Sequence, residues 1–187
     1  DINVCVPSSG DNLAAFAFYL LGAKVTSCDI SCKQIEKAEK IAQENNWSID
    51  FKVLDSMDLS SLAADSFDLV YTSNGVFVWI SDLYVMFGEF HRILKQDGSY
   101  IFFETHPFNR PFDDNDNRLK IVKHYNDIHI TGKLSNYHWR VHDLVNYLVQ
   151  SGFRLDYMDE LLAEKDTIGA TWWNLSEWDS KSDVLQN

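Results

Sequence analysis

The sequence predicts a doubly wound, mostly parallel α/β sheet with helices on both faces and an insertion after the fifth strand. Three observations predict it. Short apolar runs alternate with longer periodic runs in the order βαβαβ, then βαβ, with short connections. The run Leu13 to Leu21 reads as a helix closed by Gly22, a C-cap residue. The stretch Lys24 to Asp29 reads as a buried strand that ends on a lone carboxylate, and a helix starts at once.

The first strand spans Ile2 to Val6 and the second Lys24 to Cys28. The second helix runs from Cys32 to about Asn45. Its residues Ile35, Ala38, Ile41 and Ala42 make a core-facing stripe. Ser31 and Gln34 have the spacing of a capping box for it. The third strand is Asp50 to Leu54, the fourth Phe67 to Thr72, and a third helix covers Leu83 to Leu94. Asp97-Gly98 is a turn into the fifth strand, Tyr100 to Glu104. From Phe108 to Tyr137 the pattern is polar, aromatic and weakly periodic. A stretch of that length between ordered elements reads as a cap or substrate insertion, taken over 106–140. A helix from Val141 to Val149 and a strand from Phe153 to Met158 then resume the sheet. The whole of 1–187 reads as a single domain. A strand this close to Asp1 leads us to expect further helices upstream, and a final strand is expected beyond Asn187.

Composition excludes several classes. The chain has 187 residues, 45% of them hydrophobic and 14% aromatic, which suits one globular core and not a disordered segment. The net charge is −12, and the 16 Lys and Arg form no run, so a nucleic acid or an anionic membrane is a poor partner. No apolar run approaches the roughly 20 residues of a membrane span. Three cysteines, Cys5, Cys28 and Cys32, make no disulfide framework, and a reducing cytoplasm fits them.

Ligands of doubly wound sheets sit at the carboxyl ends of the strands, near the point where strand order reverses. Those ends carry Pro7-Ser8-Ser9-Gly10-Asp11-Asn12, Asp29, Asp55-Ser56-Met57, Ser73-Asn74-Gly75 and His106-Pro107. An acid at the tip of the second strand is where nucleoside cofactors hydrogen-bond their ribose hydroxyls, since two carboxylate oxygens can accept from two vicinal donors. Facing a cleft, Asp29 is expected to support no core. Asp55 can accept from a purine amino group, and Met57 can pack on its face. Asn74 and the Ser73 carbonyl can point at a reacting centre. His138 and His142 lie four apart, but the sequence fixes no third ligand, so no metal site is assigned. His106 opens the insertion at a strand tip. Trp79, Trp139, Trp172 and Trp173 can wall an apolar pocket.

With these residues in hand, the chain resembles the class I S-adenosylmethionine-dependent methyltransferases, which have a Rossmann-like fold. The resemblance covers Ile2 to about Met158. It is carried by Gly22-Ala23-Lys24-Val25-Thr26 through Asp29-Ile30-Ser31, by Ser66-Phe67-Asp68-Leu69-Val70 through Asn74, and by Arg92-Ile93-Leu94-Lys95-Gln96-Asp97-Gly98. Ser73-Asn74-Gly75-Val76, Trp79-Ile80, His106-Pro107-Phe108 and Arg110-Pro111-Phe112 are similar to a bacterial branch that acts on small molecules. The family's loop of one acid and three glycines falls here on Val6, Ser8, Gly10 and Asn12, so the acid and two glycines are replaced. The resemblance implies S-adenosyl-L-methionine as cofactor. It implies cofactor contacts at Ser8, Gly10, Asp29, Ile30, Asp55, Ser56, Met57, Ser73 and Asn74. It also implies a cytoplasmic enzyme with a small-molecule methyl acceptor.

Methyl transfer from a sulfonium needs a base only if the acceptor must lose a proton. The candidates are His106, then His138 and Tyr137. The rival readings are a nucleoside-cofactor binder without activity, motivated by the altered loop, a nicotinamide-dependent oxidoreductase, which would call for a fuller glycine loop, and an interaction domain, motivated by the Trp-rich tail.

Overall fold

The structure, a computed structural model, describes residues 2–73, 75–112, 120–130 and 136–160. Its main sheet holds five parallel strands: β1 (Asn3–Val6), β2 (Lys24–Asp29), β3 (Asp50–Val53), β4 (Phe67–Ser73) and β5 (Leu94–Phe103). Their order is β3-β2-β1-β4-β5. The chain steps outward from β1 to β3 and then returns to the other side of β1. The reversal therefore lies between β1 and β4, where their carboxyl ends open a crevice.

Four helices accompany the sheet: α1 (Leu13–Leu20), α2 (Cys32–Glu44), α3 (Leu83–Ile93) and α4 (Val141–Gln150). Gly22 stops α1, because its φ of 90° is open to a residue without Cβ and lets the Ala23 N–H reach the Phe18 carbonyl. On one side of the sheet, α1 closes a core over Val4, Val6 and Val25. On the other, Leu83, Met86, Phe87, Phe90 and Ile93 of α3 are fully buried against Val70, Tyr100 and Phe102, with Leu144 and Leu148 of α4 beside them. Each such side chain contributes about 1.5–3 kcal/mol. Asp82 caps α3 by accepting the Val85 N–H. Cys5 and Cys28 are buried side by side in this core as free thiols.

The insertion contributes a short 3-10 turn, Pro107–Asn109, and a two-stranded antiparallel hairpin, β6 (His129–Ile130) with β7 (Asn136–Tyr137). This hairpin lies against the 3-10 turn Phe77–Trp79 that follows β4. No helix among the described residues is long and apolar enough to cross a membrane.

Three expectations are corrected. The capping box of α2 does not form: Ser31 makes no side-chain cap, and its N–H is taken by Asp29 Oδ1 at 2.8 Å. β5 begins at Leu94, not Tyr100. Its pairing jumps from Phe67↔Leu94 to Leu69↔Ser99, so the Asp97-Gly98 turn sits inside the strand as a bulge. Phe153 to Met158 carries no strand. Its alternating pattern suits a ladder, but no ladder partner lies alongside among the described residues, and Leu155, Tyr157 and Met158 are exposed. Only Phe153 packs inward, edge-on to His91 and tilted against Tyr100.

Candidate functional site

The loop after β1 runs from Pro7 to Asn12. Ser8, Gly10 and Asn12 have φ of 50°, 54° and 65°. These are the three positions where the resembling family carries glycine. The backbone therefore keeps the left-handed shape at all three with only one glycine. Asn tolerates that region, and Ser enters it at a cost of about 1 kcal/mol.

Hydrogen bonds hold the loop in that shape. Asn12 is fully buried; its amide donates to the Gly10 carbonyl at 2.9 Å, and its oxygen accepts the Ser27 hydroxyl. The Ser9 N–H donates to the Cys28 carbonyl at 2.9 Å. The Ser8 and Ser56 hydroxyls meet at 2.6 Å, which joins the β1 loop to the turn after β3 across the tip of β2. The Ser9 hydroxyl is buried and has no partner among the described residues.

Asp29 sits at the centre. Its Oδ2 accepts the Gly10 N–H and its Oδ1 the Ser31 N–H, both at 2.8 Å. The residue is only 9% exposed, so the expectation of a purely cleft-facing acid is too simple: it is also the brace of the loop. Each oxygen keeps a second lone pair for a ligand. Ile30 beside it is exposed. After β3, Asp55 Oδ1 accepts the Met57 N–H at 2.8 Å, Ser56 is buried, and Met57 packs partly into the core. Ser73 closes β4, next to β1 in the sheet. Asn74 lies outside the described residues.

Glu104, just past β5, was not singled out from sequence. Its carboxylate accepts the Gly75 N–H at 2.9 Å and the Val76 N–H at 2.6 Å, so it clamps the loop that leaves β4. Burial pushes its carboxyl above the usual range, against the pull of those backbone donors. An acid ending a strand was its only sequence signal, because its partners are backbone groups almost 30 residues away.

Beyond Glu104 lies a small pocket between β5, the turn Phe77–Trp79 and the hairpin. Glu104 itself lines it, with Phe77, Arg110, Tyr137, His138, Trp139 and Leu144. Tyr137 stacks on Trp139 at 5.7 Å, and the Trp139 indole donates to the Ile80 carbonyl at 3.0 Å. His138 Nδ1 is buried without a partner among the described residues. Burial, with the charges of Lys123 and Arg110, brings this imidazole down to about 4, so it is neutral at pH 7.

Two of the three candidate bases, Tyr137 and His138, thus meet in one pocket. His106 does not line it. Its Nδ1 accepts the Phe108 N–H at 3.1 Å and its Nε2 lies 3.0 Å from Glu160 Oε1, at the rim. His142 is apart from His138, beside Asp143 on α4. Among the described residues no three His, Cys, Asp or Glu side chains gather to hold a metal. Trp79 is exposed, and Trp172 and Trp173 lie outside the described residues.

Comparison with known proteins bears on the family and the fold. The methyltransferase-domain family matches residues 7–102. An uncharacterised protein of Haemophilus influenzae is 26% identical over 162 residues, 76% of this chain and 63% of that one. A malonyl-[acyl-carrier protein] O-methyltransferase from a Methylovorus species is 28% identical over 155 residues, 81% of this chain and 49% of that one. The chain thus spans between about half and two-thirds of the length of these curated relatives. An S-adenosylmethionine-dependent methyltransferase from Mesorhizobium loti superposes with a TM-score of 0.77 at 22% identity, over 95% of this chain and 86% of that one, a likeness of fold. The crevice at the β1–β4 reversal, the braced loop and the matched segment lead to one assignment: the chain belongs to the class I S-adenosylmethionine-dependent methyltransferase family.

Proposed function

We propose that the protein transfers a methyl group from S-adenosyl-L-methionine to a small-molecule acceptor. The observation that carries this is the β1 loop. Its left-handed positions at Ser8, Gly10 and Asn12 survive two glycine replacements, and Asp29 braces it while keeping lone pairs for two hydroxyls. The altered loop sequence, which motivated the reading of an inactive binder, leaves this shape intact.

Asp29 would hold the ribose, with Ile30, Asp55, Ser56 and Met57 around the base. Ser8, Gly10, Ser73 and Asn74 would hold the amino-acid end. The orphaned Ser9 hydroxyl fits a ligand oxygen or ammonium group on that side. When bound, the cofactor supplies an electrophilic methyl group on a sulfonium. The chain's own residues then orient and desolvate. Glu104 fixes the loop that leaves β4, and the described parts of the insertion, the turn Pro107–Asn109 and the β6–β7 pair, would shield the acceptor end from water. Orientation of this kind supplies roughly 7–11 kcal/mol in favourable systems. An acceptor hydroxyl or amine loses its proton as its heteroatom bonds to the methyl carbon. His138, neutral at pH 7, would accept a hydrogen bond from that group and orient it, with Tyr137 beside it; a proton that must leave would pass to solvent or to His106 at the rim. Net charge −12 and a pocket walled by Phe77, Trp139 and Leu144 favour a small acceptor over a nucleic acid. Three free cysteines suit a reducing cytoplasm.

Calorimetry on the full-length protein with S-adenosylmethionine, S-adenosylhomocysteine and NAD tests the reading. Binding of the first two without NAD is expected. Binding of NAD alone would replace it with the oxidoreductase reading.

A further inference from the structure

The acceptor pocket is lined by one guanidinium, Arg110, and one carboxylate, Glu104. Arg110 follows the 3-10 turn Pro107–Asn109 and lines the pocket, and among the described residues no carboxylate or carbonyl takes its side chain. The acid nearest to it in charge, Glu104, is committed to the Gly75 and Val76 N–H groups. Lys123 stands close enough for its charge to bear on His138 as well. Its ammonium donates to the Asp127 backbone carbonyl at 2.6 Å, while the Asp127 carboxylate turns to the His124 N–H. The charges that act on the His138 ring are therefore both positive. Beside them, His138 Nδ1 is buried and unpaired among the described residues, and the apolar walls are Phe77, Trp139 and Leu144. Glu104 and Asp127 offset part of these charges, but a neutral acceptor would leave the Arg110 guanidinium without a direct hydrogen-bond partner among the described residues. A planar guanidinium matches a carboxylate with two parallel hydrogen bonds.

We propose that this pocket selects an acceptor that carries a carboxylate on a short apolar or aromatic body. Arg110 receives the carboxylate, Lys123 adds long-range attraction, and His138 Nδ1 pairs with a hydroxyl or amino group of the same molecule. Arg110 is then a specificity-determining residue. The proposal rests on the reading of this pocket as the methyl-acceptor site.

The test uses full-length protein, with and without S-adenosylhomocysteine, and a matched pair of probes: 3-phenylpropanoate and 3-phenylpropanamide. Calorimetry is expected to show the acid binding roughly tenfold or more tighter than the amide, the ratio of one charge-assisted contact. Arg110→Gln should remove that preference and leave the amide unchanged, and added salt should weaken the acid alone. Lys123→Gln should lower acid affinity by a smaller factor, and it decides the matter if Arg110→Gln fails to fold. Equal binding of both probes, binding of neither, or an acid preference that survives both substitutions would overturn the proposal. S-adenosylhomocysteine binding with no acid preference removes the carboxylate pocket and keeps methyl transfer. An acid preference without S-adenosylhomocysteine binding does the reverse.

Discussion

Asp29 Oδ2 accepts the Gly10 N–H at 2.8 Å, across 19 residues of sequence, so the acid that ends β2 shapes the loop that ends β1. One carboxylate thereby organises both sides of the crevice before any ligand enters. Asp29→Ala should weaken S-adenosylhomocysteine binding by roughly 10- to 150-fold. It should also cost about 1–3 kcal/mol of stability, because the Gly10 and Ser31 N–H groups lose their acceptor. Asp29→Asn should lose less of both, since its amide oxygen still accepts. Calorimetry and a thermal melt on the two variants check this. An Asp29→Ala variant with wild-type affinity would remove the ribose assignment.

Asn12 gives an ordering of two substitutions. Asn12→Gly loses the bonds to Ser27 and Gly10 but suits φ 65°. Asn12→Ala loses the same bonds and must also place a Cβ in the left-handed region, at roughly 1–2 kcal/mol more. Chemical denaturation should therefore find the alanine variant the less stable. The opposite order would mean that the loop does not keep its left-handed turn.

Glu104 combines a clamp with a pH dependence. Glu104→Ala leaves the Gly75 and Val76 N–H groups unpaired and should cost about 1–3 kcal/mol. The folded carboxyl holds its proton to higher pH than the ordinary 4.5. Its stability contribution is therefore full below 4.5 and is lost as pH rises through the folded value. Glu104→Gln keeps an acceptor for the loop and removes that titration. Denaturation curves across acid to neutral pH should show a decline with rising pH in the wild type that the glutamine variant lacks. Parallel curves would sink the assignment.

His138 works in the other direction. Unfolded, it titrates near the ordinary 6.5; folded, near 4. Between these values the unfolded state binds more protons, so its contribution to stability rises with pH and is lost as pH falls through the window. Histidine NMR should find one imidazole that stays neutral down to about pH 4, and His138→Gln should remove it. A His138 signal titrating near 6.5 would contradict the buried, cation-flanked ring.

Most of the scaffold was legible because each element buries one face and shows it in its own sequence. Ile35, Ala38 and Ala42 gave α2, and the apolar run with Gly22 gave α1. Asp29 was legible as a strand-tip acid for the same local reason. Its bracing of Gly10 was not, because the partner is a backbone N–H whose place depends on the whole sheet. Ser31 and Gln34 spell a capping box, yet the neighbouring Asp29 takes the Ser31 N–H first. Phe153 to Met158 alternates like a strand, but alternation cannot supply a partner. His106 stands out in the sequence because it sits at a strand tip; the hairpin brings His138 to the pocket from 32 positions further on, which no local pattern shows.

The bulge in β5 works as a ruler for the site at its far end. A Cβ at Gly98 would come within 3.0 Å of the carbonyls of Phe67 and Lys95, so that position fixes where the strand resumes pairing, at Ser99 beside Leu69. From there, five steps of extended chain, about 17 Å at roughly 3.3 Å each, deliver Glu104 level with Gly75. A slip of one residue would turn Tyr100 and Phe102 to the opposite face and carry Glu104 past its donors. Gly98 touches neither half of the crevice, yet the spacing between those halves is measured from it.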